Sequence, residues 1–122
     1  MRREELLLLD IIGAADAIAR FIRGATREGF LGNDELQSSV LLKLIIIGEA
    51  ARNMPDDVRT RHPEIEWTDI IGFRNILVHE YFSIRWPTVC DTATDEVPSL
   101  RKRVAAILVQ EYPDVKLPEI RD

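Results

Sequence analysis

The 122 residues contain a single cysteine, Cys90, so no intrachain disulfide can form, and the chain fits a reducing, cytoplasmic compartment. The thiol itself reads as a small buried hydrophobe. Basic charge is also short: 16 Lys and Arg stand against 21 Asp and Glu, a formal net charge of −5 with a pI near 5.1. This excludes a protein that coats nucleic acid through bulk positive charge, because non-specific affinity is mostly phosphate neutralisation; a local basic site stays open. Long apolar runs are missing as well. The leucines at 6–9 end at Asp10, before a signal-peptide core is complete. The stretches 40–42 and 44–47, around Lys43, fall far short of the roughly 20 residues of a membrane span. A soluble chain without membrane association is expected. Two histidines without convergent Cys or spaced carboxylates give no metal site, and no cofactor motif appears. Strand alternation, internal repeats and low-complexity tracts are absent too.

What the chain does have is helical periodicity, with 46% hydrophobic and 30% charged residues. At this length one domain buries about two-thirds of its unfolded surface. Over residues 4–23, Leu7, Ile11, Ala14, Ile18 and Phe21 alternate spacings of four and three, the stripe of a helix facing a partner, and Gly24 ends it. Residues 29–33 have turn composition. Asn33 or Asp34 then caps a second helix running to about Asn53, with Gln37 completing a capping box. Its middle, 40–47, is apolar on nearly every side except Lys43, which predicts a central, buried helix. Gly48 within it costs about 1 kcal/mol relative to Ala unless another helix crosses closely.

Pro55 opens a short helix ending near His62-Pro63, with His62 expected in solvent. A third long helix is expected over about 69–81 and a fourth after Trp86-Pro87, kinked or divided by Pro98. Its second half spans 99–112 and stops at Pro113. Trp67 and Trp86 should pack the bundle ends, while Arg20, Arg23 and Arg101-Lys102-Arg103 read as solvated faces. The predicted architecture is all-α, a mainly antiparallel four-helix bundle with a short additional helix over residues 1–113, followed by an extended tail over 114–122.

The stretch Gly72-Phe73-Arg74-Asn75-Ile76-Leu77-Val78-His79-Glu80-Tyr81-Phe82 concentrates a permanent cation, an amide, an imidazole and a phenol in an otherwise apolar helix. Arg offers a planar fork matched to phosphate oxygens, and His can take and return a proton near neutral pH. These are the minimum parts for cutting RNA without a metal: proton transfer to or from the reacting oxygens, and stabilisation of charge on the phosphorane. On an ideal helix, however, Arg74 and His79 lie about 140° apart, whereas Asn75 and His79 share a stripe. Three arrangements would bring Arg and His to one phosphate: a helix end distorted after Val78, an Arg side chain wrapping sideways, or two copies of the helix lining one cleft across a two-fold axis. The shared cleft is favoured. A purely structural set is the alternative, with Asn75 holding His79 and Arg74 paired to a carboxylate such as Glu49.

The run from Arg74 to Tyr81 resembles the Arg, four residues, His, one residue, Tyr pattern of the HEPN superfamily, specifically the HepT-like toxins. The likeness extends through Phe30-Leu31 before Asn33-Asp34, Ile47-Gly48-Glu49-Ala50, Pro63-Glu64-Ile65 before Trp67, and His79-Glu80-Tyr81-Phe82. The resemblance implies a homodimeric, metal-independent endoribonuclease of a type VII toxin–antitoxin module. Its RNA substrate would be cut at a dimer cleft by Arg74 and His79, with Asn75 orienting the pair and Glu49 in support. It also implies a MntA-like minimal nucleotidyltransferase antitoxin that transfers AMP to Tyr81, in a complex whose higher stoichiometry is open. Leu42, Ile45 and Cys90 depart from the family, which often has Arg, Glu and Trp there; so does the short link from Ser83 to Trp86. Partner contacts and assembly therefore stay open. The alternative is a non-catalytic binding module that partners the nucleotidyltransferase or binds nucleotides.

Overall fold

The computed structural model describes residues 2–118, and every regular element among them is helical. The chain runs α1 (Glu4–Ile22), α2 (Arg27–Leu31), α3 (Asp34–Arg52), α4 (Asp56–Arg61), α5 (Trp67–His79), a 3-10 turn (Tyr81–Ser83), α6 (Trp86–Asp91), a π-helical turn (Thr92–Glu96) and α7 (Val97–Glu111). The four-helix expectation holds for the long elements. α1 packs on α3 and α7, α3 carries α5 on its other side, and α2 seats against α3 and α6.

Local chemistry explains the boundaries. Glu4 and Glu5 in the first turn of α1 face its positive dipole end. Beyond its C-terminus Gly24 takes φ +75°, a left-handed conformation that glycine adopts without a Cβ penalty. The expected turn at 29–33 is instead mostly helix, because Thr26 caps α2 by accepting from the Gly29 N–H at 2.9 Å. Asn33 caps α3 through the Leu36 N–H at 3.0 Å. Gln37 closes no capping box. Its side-chain amide donates to the Phe30 and Leu31 carbonyls, both at 3.1 Å, and so satisfies the end of α2.

The core is built on Leu8, Ile11, Ile12 and Ile18 of α1, Val40 of α3 and Val104 of α7, each with no exposed surface. Burial of such a side chain stabilises the fold by about 1.5–3 kcal/mol. Phe21, the last residue of the expected stripe, is 36% exposed. α3 is not enclosed all round: Leu42 is 55% exposed, on the side that neither α1 nor α5 covers. Cys90 is buried as expected. Trp67 is buried, and Trp86 tilts against Phe30 with centroids 6.5 Å apart. The expected interruption of the last helix falls just before Pro98, where a π-helical turn separates α6 from α7. That turn widens the coil where the proline ring would strike a carbonyl, and the backbone at Thr92 and Val97 stays right-handed helical.

Two sequence expectations are corrected by tertiary contacts. His62 is buried, not solvated: its Nδ1 lies 3.0 Å from a Glu64 oxygen and its Nε2 2.5 Å from a Glu111 oxygen. Its carbonyl accepts from the Trp67 indole N–H at 3.0 Å. Glu111 also accepts from Arg61 at 2.9 Å, and that hydrogen bond, with His62 adding, holds its carboxyl below the ordinary value. Together these contacts tie the segment before α5 to the end of α7. Arg101 is likewise paired, 2.9 Å from Asp16 with 16% of its side chain exposed. Within the tail, Val115 and Leu117 pack on the core and the Pro118 carbonyl lies 3.4 Å from Arg101 Nη2. The rest of the expected tail, 119–122, lies outside the described residues.

Candidate active site

α5 is the least enclosed long helix, packed on α3 with only Trp67 and Leu77 buried. It starts two residues before the expected 69 and ends at His79, with Tyr81 falling in the following 3-10 turn. A sequence apolar on several sides thus packs chiefly on α3. Ile76 and Val78 remain 42% and 39% exposed, and just beyond them Phe82 is fully exposed.

The close crossing that Gly48 requires is present, and its other half is Arg74. A Cβ at Gly48 would overlap Arg74 Cβ and Cγ, so the glycine is the socket into which the stem of Arg74 fits. The seat leaves 13% of the Arg74 side chain exposed. At its far end Nη2 lies 2.8 Å from Glu49 Oε2, Nη1 donates to Asn75 Oδ1 at 2.9 Å, and Nε is buried without a hydrogen-bond partner among the described residues. Arg52 Nη1 stands 3.9 Å from the same Glu49 oxygen. Side-chain entropy and orientation at Arg74 are therefore settled before any ligand arrives.

The structure brings Arg74, Asn75 and Glu49 together and leaves His79 apart. Asn75 turns to Arg74 and does not hold His79, whose exposed side chain makes no hydrogen bond among the described residues. Because α5 stays α-helical through His79, the distorted end considered above does not occur, and the two side chains keep the roughly 140° separation of an ideal helix. Tyr81 is 46% exposed and meets Phe82 edge-on, centroids 5.6 Å apart. Sequence reasoning missed that Gly48 seats Arg74 and that Arg52 reaches the same carboxylate. A glycine beside the candidate Glu49 was the available signal for the first. No metal-binding group of three or more His, Cys, Asp or Glu side chains occurs among the described residues. No helix among them is long and apolar enough to cross a membrane.

Fold and site together define a helical bundle that presents an Arg-x4-His-x-Tyr segment along its least covered helix. The chain belongs to the ribonuclease HepT-like family, whose model matches residues 11–107. It is 37% identical to a "Probable ribonuclease HepT" of Thermococcus cleftensis, over 77% of this chain and 86% of that protein. A candidate RNase of Methanocaldococcus jannaschii is 34% identical over 83% and 87% of the two chains. One from Caldanaerobacter subterraneus subsp. tengcongensis is 32% identical over 91% and 99%. No solved structure matches.

Proposed function

We propose that this chain is a metal-independent endoribonuclease toxin, acting in the cytoplasm as a homodimer, in which Arg74 and His79 carry the chemistry. The observation that carries the reading is the contrast within one helix: a guanidinium locked by Gly48, Glu49 and Asn75, and, on another face, an imidazole left free and exposed. A fixed cation suits charge developing on a phosphorane, and a free imidazole suits proton transfer. His79 takes the proton of a 2′-hydroxyl, the resulting oxygen attacks phosphorus, and the 5′-oxygen leaves with a proton returned by imidazolium. Asn75 and Glu49 are positioning residues for Arg74.

The dimer reading rests on α5. Ile76, Val78 and Phe82 are exposed together, and Gly72, exposed in mid-helix, has no atom within 4 Å of where a Cβ would sit. Such a glycine costs about 1 kcal/mol, and nothing within one chain offsets it; close approach of a second α5 does. Two copies would also unite one chain's Arg74 with the other's His79. Tyr81, half exposed beside this cleft, is the position where a MntA-like nucleotidyltransferase antitoxin attaches AMP. The added phosphate charge and bulk would then occupy the place of the substrate phosphate.

Purified protein is expected to sediment as a dimer and to cleave RNA in EDTA, with His79→Ala losing about 10²–10⁴-fold from missing proton transfer. Incubation with ATP and the antitoxin is expected to add AMP mass at Tyr81 and abolish cleavage. A monomer that cleaves at full rate would remove the shared cleft. Tight partner binding without any cleavage would favour the binding module.

A further inference from the structure

We propose that Arg52 is a second substrate contact, gripping a phosphate adjacent to the scissile one. This rests on the ribonuclease reading of Arg74. Its basis is a single atom: Glu49 Oε2 lies 2.8 Å from Arg74 Nη2 and 3.9 Å from Arg52 Nη1, which caps the separation of the two guanidinium nitrogens at 6.7 Å. One carboxylate cannot neutralise two guanidinium groups. A net positive spot therefore persists at the end of α3, on a chain whose formal charge is −5.

The two arginines are held differently, and the difference matches two tasks. Arg74 is seated and hydrogen-bonded, with 13% of its side chain exposed, as a group acting on the reacting phosphate must be. Arg52 is 58% exposed, and its separation from Glu49 exceeds a hydrogen bond. Its side chain makes no hydrogen bond among the described residues. All of its donors thus stay available for a bidentate phosphate contact. Releasing it is cheap, because an exposed pair three residues apart contributes at most about 1 kcal/mol. Single-stranded RNA fits this spacing better than an acidic protein surface does, since a flexible backbone can set successive phosphates on two neighbouring cations. A purely structural role, as a cation at the C-terminal dipole end of α3, needs neither the shared oxygen nor the proximity to Arg74.

The test measures wild type and the Arg52→Gln variant binding a short 2′-O-methylated RNA across a range of salt, and cleaving its unmodified counterpart. Arg52→Gln is expected to weaken binding and raise KM about 5–20-fold, leave kcat within about threefold, and flatten the slope of log affinity against log salt by roughly 0.7 per lost contact. Arg52→Lys should restore the slope. Wild-type cleavage with an unchanged slope and KM in Arg52→Gln, accompanied only by a lower melting temperature, would overturn the inference and leave the ribonuclease reading standing. Wild type that neither binds nor cleaves RNA would sink that reading itself.

Discussion

Replacing Gly48 by Ala puts the central packing argument at risk in one methyl group. In a helix interior the change stabilises by about 1 kcal/mol, because alanine has the higher propensity. At this position the new Cβ falls on Arg74 Cβ and Cγ, atoms too close to the backbone to swing aside, so α5 itself must move away from α3. Overpacking of this kind costs about 1–3 kcal/mol, which leaves a net destabilisation of about 0–2 kcal/mol. Catalysis should suffer far more. A displacement near 1 Å moves the guanidinium off Glu49 and off the phosphate, at a cost of about 10²-fold in rate. Gly13→Ala is the control: it too lies within a long helix but, unlike buried Gly48, is exposed with nothing within 4 Å of its Cβ, so it should gain about 1 kcal/mol and keep full activity. Urea unfolding and RNA cleavage rates, measured side by side, read both effects. If Gly48→Ala matches Gly13→Ala in both, the socket reasoning is wrong.

Two further outcomes are expected. Glu49→Gln removes the charge shared by Arg74 and Arg52, so RNA should bind about 2–5-fold more tightly by electrostatics while kcat falls about tenfold as the orienting ion pair weakens; equilibrium binding and single-turnover cleavage separate the two. Burial, with a hydrogen bond to Glu4 adding, pushes the Tyr112 phenol up to about 12. A folded value above the unfolded one means that this stabilisation is fully present below about pH 10 and is lost as pH rises through about 12. Melting temperatures taken across that interval should fall more steeply for wild type than for Tyr112→Phe.

Much of the bundle could be read from linear pattern, since helix stripes and caps depend on neighbours three or four residues away. Asn33 and Gly24 act as expected, and Gly48 forecast a close crossing without naming its partner. The misses share a cause. His62 looked like a loop residue because Glu111, which buries it, is 49 positions distant, and Arg101 looked solvated because Asp16 lies 85 positions away. The site divides along the same line. Arg74, Asn75, His79 and Tyr81 were selected by their chemistry within eight residues, yet their relationships were only half foreseen: Arg74 pairs with Glu49, while Asn75 serves Arg74 and leaves His79 free.

Residue order thus settled the helical class, the acidic balance and the motif, because periodicity, charge and functional-group identity are local properties. Which residue seats Arg74, that Arg74 meets the carboxylate already paired with Arg52 along α3, and that α5 keeps an uncovered face were decided only once α3 and α5 crossed. Contacts between distant segments depend on how the helices pack, and no spacing along the chain encodes that directly.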